Sequence, residues 1–269
     1  MGRYSFSNPS FEFMLSVAMG KVPGMSHINK FGHNPAIETG TDPEDVWHGG
    51  GVYPFYPLTA QTLEVLSDSV EDDADKEPAG TGAYTIIIYG LDGNFNEVNE
   101  TVTLNGAGIV ALTEHTYRRV YRAIILTAGS SGSNVGNIVV RIASAGASAA
   151  YIATADGQTQ QAIYTIPEGK TGFFIKGYVG VSAGGVGASN ESAIFQWKLR
   201  ANNGVAGAWQ VNGQIECTTR GSSWWQYKYG IPAGPISEMS DIKIECTEVS
   251  TTLGVVGAFD LLLVENRLL

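Results

Sequence analysis

Residues 192–201 have the sequence SAIFQWKLRA, in which apolar and polar side chains alternate along the chain. Phe195, Trp197 and Leu199 occupy every second position, and the residues between them are polar or charged. Successive side chains of a β-strand point to opposite faces, so this pattern predicts a strand with one face in a core and one in water. The stretch therefore favours an antiparallel sheet.

Strand-like runs of the same kind recur from about residue 63 onward, separated by turns rich in Gly, Asn, Asp and Ser. The clearest of them are AYTIIIYGL, NETVTLNG, VYRAIILTAG, NIVVRIAS, QAIYTIP, TGFFIKGYVGV, AWQVNGQIEC, WWQYKYGI, DIKIECTEV and VGAFDLLLVEN. About a dozen strands and no helical periodicity predict an all-β protein. We expect an antiparallel two-sheet β-sandwich of jelly-roll-like form.

The N-terminal part of the chain has a different pattern. Residues 1–57 lack alternation and contain six of the ten prolines, which suits an extended segment lying on a surface. We therefore predict an extended N-terminal arm over residues 1–57 and the β-sandwich domain over residues 58–269. Within the arm, TGTDPEDVW predicts one helical turn, with Thr41 or Asp42 as its cap.

Charge and hydropathy exclude two classes of partner. The formal net charge is −10, and the 16 Lys and Arg residues are scattered singly, so no basic stripe is present to neutralise phosphates. The apolar stretch near the N-terminus is broken and much shorter than the roughly 20 residues of a membrane-spanning helix. We expect binding neither to nucleic acid nor to a membrane, and no secretion signal.

No catalytic or metal-binding signature is found. His33 and His48 lie near several acids but lack the spacing that places two imidazoles on one side of a regular element. The acidic run of residues 68–77 lacks the order of a calcium loop and is interpreted as a solvated loop. Trp224 and Trp225 could stack on a sugar, but adjacent strand residues point to opposite faces, so one of them is expected in the core. The sequence thus predicts a protein that is not an enzyme, with no catalytic, cofactor-binding or metal-binding residues and no cofactor.

The two cysteines are predicted to be buried. Cys217 and Cys246 each share a strand face with apolar residues, as small hydrophobic side chains do. A pair of unbonded thiols is favoured over a disulfide.

One strand is predicted to be apolar on both faces. In residues 171–181, TGFFIKGYVGV, alternation places Phe173, Ile175 and the two later valines on the core face. Phe174 and Tyr178 then add apolar surface to the opposite face, which must be covered by something other than water. We predict that Phe174 and Tyr178 mediate self-association.

Four segments carry a resemblance to a known group of proteins. KFGHNP, PEDVWHGGGVYPF, GTGAYTIIIYGLDGNFNEVNETVTLNG and YTIPEGKTGFF are similar to virion structural proteins of tailed bacteriophages, and the similarity extends over most of the chain. The residues that carry it are Lys30, Phe31, Gly32, Asn34, Pro35, Val46, Trp47, Gly49, Gly50 and Gly51, followed by Gly90, Leu91, Asp92, Thr101, Val102, Leu104 and Gly106.

The resemblance implies a capsid cement or decoration protein that stabilises the shell. It would bind the major capsid protein, lie on the capsid surface of a virion assembled in the host cytoplasm, and form a homotrimer. The arm residues expected at the capsid interface are Lys30, Phe31, Asn34, Pro35, Val46 and Trp47, with Trp47 as the strongest anchor. A tail or head-to-tail junction component is the alternative, and a receptor-binding or carbohydrate-binding virion protein is the third.

Overall fold

The computed structural model describes residues 9–40, 43–181, 191–202, 207–219 and 224–269, with the backbone alone for 9–11 and 224–232. These residues form one α-helix, sixteen strands and a terminal 3-10 helix, Asn266–Leu268. The helix and the first eight strands are α1 Pro9–Ala18, β1 Met25–Ile37, β2 Glu44–Asp45, β3 Leu63–Ser67, β4 Ala83–Leu91, β5 Glu97–Thr103, β6 Val110–Ala111, β7 Arg119–Ala128 and β8 Ile138–Ile142. The remaining strands are β9 Ser148–Ile152, β10 Ile163–Thr165, β11 Lys170–Val181, β12 Ser192–Arg200, β13 Gln210–Thr218, β14 Trp224–Ile236, β15 Asp241–Val249 and β16 Leu253–Glu265.

The strands form four antiparallel sheets in two lobes. In the first lobe, residues 47–161, one sheet has the order β6-β3-β8-β9 and the other the order β5-β4-β7. In the second lobe, residues 25–46 and 162–265, the orders are β1-β16-β11-β14 and β10-β15-β12-β13, with β2 also paired to β15. The first lobe is therefore inserted between β2 and β10 of the second.

Each lobe has its own apolar core between its two sheets. Fully buried side chains of the first core include Phe55, Leu63, Ile86, Ile88, Tyr117 and Ile138. Those of the second include Tyr164, Phe195, Ile242, Ile244, Phe259 and Leu261. The chain changes core between adjacent residues: Val46 belongs to the second core and Trp47 to the first.

The prediction of an all-β antiparallel protein is confirmed. The structure differs from a single two-sheet sandwich over residues 58–269, because its strands form four sheets around two cores. Strand periodicity identifies strands but does not say which of them share a sheet, and this is why the sequence did not separate the lobes.

The segment predicted as an extended arm is part of both lobes. Strand β1 pairs with β16 from Met25↔Val264 to Ile37↔Leu253, and Phe55 lies in the first core. A boundary at residue 57 therefore falls inside the first lobe. Strand β1 lacks the expected alternation because polar side chains on it, such as Lys30 and Asn34, are buried.

The helical turn predicted around Pro43 is absent from the described residues there. Thr41 and Asp42 lie outside them, and Glu44 and Asp45 pair with β15 as strand β2. The Glu44 carboxylate accepts hydrogen bonds from Asn34 Nδ2 at 3.0 Å and from Gly51 N at 2.8 Å, and so closes the loop that follows the strand.

The strand predicted to be apolar on both faces contains a β-bulge. The register of β11 against both of its neighbours shifts between Phe174 and Lys176, which reverses the faces of the side chains that follow. Phe174, 3 % exposed, therefore lies in the second core with Val179 and packs edge-on against Phe259 at 5.9 Å.

The outer face of the same strand is covered by the N-terminal helix. Phe173 and Ile175 pack with Val17 of α1 and with Leu262 and Val264. This corrects the assignment of Phe173 and Ile175 to the core and of Phe174 to a self-association face. Tyr178 is half-buried. No helix in the described part of the chain has the length and hydropathy needed to cross a membrane.

Candidate functional site

Strand β15 has two buried faces of opposite character. Ile242, Ile244 and Cys246 line the second core, and the alternate residues Asp241, Lys243 and Glu245 face the junction between the lobes. Asp241 is 0 %, Lys243 3 % and Glu245 4 % exposed. Charged side chains are rarely buried so completely unless they are paired. The charged groups at this junction are called the interlobe network below.

At one end of the interlobe network, Asp241 binds two arginines. Arg119 of the first lobe donates from Nε and Nη2 to the two carboxylate oxygens at 2.8 and 3.0 Å. Arg200 donates from Nη2 at 2.6 Å, and Thr165 Oγ1 donates at 2.7 Å. Burial disfavours the charged form, but Arg119 and Arg200 hold the pKa of Asp241 below its usual value. The bidentate Arg119 contact fixes one lobe against the other.

At the other end, two lysines meet two carboxylates. Lys243 Nζ lies 2.7 Å from Asp45 Oδ1 and 2.6 Å from Glu245 Oε2. Lys198 also pairs with Glu245. Burial raises the pKa of Asp45, and Lys243 offsets this only in part. Asp45 is therefore protonated more easily than the acid of an ordinary surface ion pair.

Aromatic rings enclose the network. The Trp209 ring lies 4.5 Å from the Arg200 guanidinium and 4.7 Å from Lys243 Nζ, measured from its centroid. Tyr56 lies 4.5 Å from the same guanidinium and 5.5 Å from Trp209. These rings stabilise the cations through their π faces and keep water from the carboxylates.

A second polar feature, the tyrosine cleft, lies between β1 and the first lobe. Its volume is about 400 Å³, and it is lined by His27, Ile28, Asn29, Lys30, Tyr89, Tyr121, Arg122, Ile124 and Tyr164. Tyr89 and Tyr121 are stacked with centroids 6.5 Å apart, and Tyr164 meets Tyr121 edge-on at 5.2 Å. The cleft has the size and the aromatic lining of a small-ligand site.

Two buried polar groups on the cleft wall lack the partners that such groups usually have. Lys30 is 2 % exposed and donates to the carbonyl oxygen of Tyr121, with no acid paired to it among the described residues. Burial, with Arg122 nearby, lowers the pKa of Lys30 well below its usual value. The hydroxyl of Tyr164 has no hydrogen-bond partner in the described part of the chain. Burial raises the pKa of that hydroxyl.

The residues predicted to contact a capsid do not form one exposed surface. Phe31 is half-buried and Pro35 is exposed. The other four are turned into the protein itself, with exposures of 2 % for Lys30, 1 % for Asn34, 0 % for Val46 and 4 % for Trp47.

Trp47 in particular is held inside its own lobe. It packs edge-on against Tyr53 at 5.2 Å, and its Nε1 donates to Gly51 O at 3.0 Å. A Cβ on Gly49 would lie 2.2 Å from the indole, so glycine is required there. This corrects the assignment of Trp47 as an anchor, because a side chain filling its own core is not available to a partner.

The remaining candidates are the histidines considered as metal ligands and the tryptophans considered for sugar stacking. His33 and His48 lie 5.0 Å apart, with His48 Nδ1 2.9 Å from Asp156. Among the described residues, no group of three His, Cys, Asp or Glu side chains could hold a metal. The side chains of Trp224 and Trp225 lie outside the described residues.

One acid of the run 68–77 is not solvated. Asp72 is 0 % exposed and accepts hydrogen bonds from Ser67 Oγ at 2.5 Å and from the backbone N–H groups of Ala83, Val135 and Gly136 at 2.7–2.9 Å. This corrects the interpretation of the run as a wholly solvated loop. Cys217 and Cys246 are both buried in the second core, as predicted, and are unbonded.

No protein-family model matches the chain, and no curated protein sequence matches it either. Among solved structures, VP2 of the infectious bursal disease virus subviral particle aligns at 9 % identity and a TM-score of 0.21, over 94 % of this chain and 77 % of that one. The PBSX exported protein XepA aligns at 10 % identity and a TM-score of 0.17, over 87 % and 84 %. The infectious bursal disease virus Gt strain structure aligns at 12 % identity and a TM-score of 0.13. TM-scores this low give no information about function.

Proposed function

We propose that this chain is a structural protein of a virus particle, and specifically a cement protein that stabilises a capsid shell. The observation that supports a structural role is the interlobe network. The two lobes are joined without a linker, and Arg119 of the first lobe is paired with Asp241 of the second. On the second lobe, Arg200 also pairs with Asp241, Lys243 with Asp45, and Lys198 with Glu245, all of them largely buried. An assembly of this kind behaves as one rigid block. The virus particle is suggested by the sequence resemblance.

Helix α1 is the segment best suited to attach such a block to a shell. One side of it covers the second lobe through Val17, whereas Phe13 and Leu15 of the helix remain 42 % and 37 % exposed, and Met19, directly after the helix, 56 %. Exposed apolar side chains grouped along one short segment are typical of a protein contact. The contact predicted for Trp47 is thus reassigned to α1, with the major capsid protein as the partner.

Attachment through α1 is tested with a double variant, Leu15→Glu with Met19→Glu. We expect the isolated protein to stay folded, because both side chains are exposed, and its incorporation into particles to be lost. Val70→Glu is the matched control, since Val70 is 59 % exposed on the first lobe. Normal incorporation of the double variant would contradict attachment through α1.

Copy number distinguishes the shell from the tail. Gel densitometry of purified particles should show on the order of hundreds of copies for a cement protein, and about a dozen for a ring at the head-to-tail junction. A homotrimer remains part of the proposal, but it no longer has support from Phe174, which lies in the protein's own core. Light scattering on the free protein measures it directly.

The tyrosine cleft supports a second candidate function, carbohydrate binding by a virion protein. Stacked aromatic rings beside buried polar groups suit a sugar, which presents an apolar face and hydroxyl groups. Saturation-transfer NMR with a panel of mono- and oligosaccharides should show contact to wild type and not to Tyr89→Ala. Absence of transfer from every sugar would remove this candidate and leave the cement proposal untouched.

A further inference from the structure

Lys243, Asp45 and Glu245 have the arrangement of a reactive triad as well as of an ion-pair cluster. In the antiparallel pairing of β2 with β15, Glu245 lies directly opposite Asp45. Lys243 is two residues before Glu245 and therefore shares its face. The Lys243 nitrogen lies 2.7 Å from a carboxylate oxygen of Asp45 and 2.6 Å from one of Glu245.

We propose that the side chains of Lys243 and Asp45 join in an intramolecular isopeptide bond, with Glu245 as the catalytic residue that transfers the proton. The site is a covalent modification site formed entirely from this chain. It requires no oxidant, no cofactor and no second protein.

The reaction condenses an amine with a carboxylic acid. A proton passes from the Lys243 ammonium to the Asp45 carboxylate, giving a neutral amine beside a neutral acid. The amine lone pair attacks Asp45 Cγ and forms the N–C bond. Glu245 accepts a second proton from the nitrogen and delivers it to the departing oxygen. The C–O bond breaks, and the products are one amide and one water molecule.

The surroundings favour this step over a permanent ion pair. Asp45 is 0 % and Lys243 3 % exposed, so bulk water does not stabilise their charges. The raised pKa of Asp45 agrees with this, because attack requires the neutral acid. Two adjacent strands hold the reacting groups in contact, which replaces the entropy loss of a bimolecular encounter. The Trp209 ring covers the lysine nitrogen.

Other buried charges in the described residues lack one part of the triad. Lys198 pairs with Glu245 and not with Asp45. Asp241 is bound by two arginines, whose guanidinium groups are poor nucleophiles. Lys30 is paired with no acid there. The reaction is thus specific to one pair of side chains.

Tryptic mapping of the full-length protein is the direct test. Trypsin does not cut after a lysine whose amine is acylated. Without the bond, the chain is cut after Lys243; with it, residues 229–267 remain whole and are joined to residues 31–76 in one branched peptide. Its mass should equal the sum of the two peptides less one water molecule, and the intact protein should be lighter by the same amount.

Variants separate the bond from the ion pair. Lys243→Arg, Asp45→Ala and Glu245→Gln should each abolish the branched peptide. Lys198→Arg is the matched control, because it changes the other lysine on Glu245 and should leave the bond intact. Asp45→Asn should yield the same branched peptide, with ammonia as the leaving group in place of water.

Complete cleavage after Lys243 in folded wild-type protein would overturn the proposal, whatever the variants do. So would a loss of water that maps to another residue, such as a succinimide at Asp92. Persistence of the branched peptide in Glu245→Gln at wild-type yield would overturn the role of Glu245 alone. The wild-type digest decides the main question even if a variant does not fold.

Discussion

Two buried polar regions lie between the lobes, and their lysines have opposite surroundings. In the interlobe network, Lys243 contacts the carboxylates of Asp45 and Glu245. In the tyrosine cleft, Lys30 has a backbone carbonyl as its acceptor, and Arg122 is nearby. Both lysines are 3 % exposed or less. The contribution of a buried lysine to stability therefore depends on the charges around it and not on burial alone.

The difference separates a region that holds the lobes together from one suited to receive a ligand. Paired charges in the network are satisfied within the chain, so removing one member leaves its partners buried and uncompensated. The poorly matched groups of the cleft carry a free-energy penalty that a ligand with the right hydrogen-bonding groups would relieve. Variants in each region should thus affect stability in different ways.

Asp241→Ala should have the largest effect. It leaves Arg119 and Arg200 buried without a counter-ion, which costs about 3–5 kcal/mol in the free energy of unfolding. Urea denaturation followed by tryptophan fluorescence measures it. Glu71→Ala is the control, because it removes an ion pair with Lys76 in which both side chains are about one third exposed, and it should scarcely move the midpoint. A similar small shift for Asp241→Ala would show that the network does not hold the lobes together.

The same chemical change at two tyrosines should affect the free energy of unfolding differently. The Tyr53 hydroxyl lies 2.7 Å from the carbonyl oxygen of Ala149 and 3.1 Å from that of Val120, so Tyr53→Phe should lower the free energy of unfolding by about 1 kcal/mol. The unpartnered hydroxyl of Tyr164 predicts no loss, or a small gain, for Tyr164→Phe. Thermal unfolding of the two variants side by side makes the comparison. Equal losses would mean that Tyr164 is as well satisfied as Tyr53.

Lys30→Met should show its effect in the pH dependence of the free energy of unfolding. Between its lowered folded pKa and about 10.5, Lys30 binds fewer protons in the folded than in the unfolded state. The free energy of unfolding of wild type therefore rises with pH across this window, and Lys30→Met lacks this rise.

The stability of Lys30→Met relative to wild type should then be greatest at the low end of the window and fall steadily towards pH 10.5. Denaturation of both proteins at several pH values in this range gives the difference directly. Parallel curves would show that the Lys30 pKa is not lowered. Lys176→Met, on a partly exposed lysine paired with Asp260, is the control and should not reproduce the trend.

Strand positions and most core faces could be predicted from the sequence. Alternation correctly placed Phe195, Trp197, Ile244 and Cys246 in a core, because apolar burial on one face is a local pattern. It failed at Phe174, where a bulge adds a residue and reverses the faces. A bulge depends on how two neighbouring strands pair, and that information is not local.

The interlobe network could not be predicted because the sequence does not show what covers a polar face. Asp241, Lys243 and Glu245 alternate with apolar residues as they would on a solvated strand. One signal in the sequence could have indicated a buried polar face. The three residues alternate in charge, acid, base, acid, so they can pair with one another away from water. Their partners Asp45 and Arg119 are distant in sequence, so the site itself emerges only from the tertiary structure.

The pairing of β1 with β16 has a consequence for how the protein is made. Asn29 and Asp260, which hydrogen-bond across these strands, are 231 residues apart. At translation rates of about 5–20 residues per second, β1 waits on the order of 10–50 s for its neighbour to be synthesised. The first lobe is complete in the nascent chain well before then. The second lobe closes around a folded insert, and until β16 arrives an unpaired strand edge is exposed to any other chain nearby.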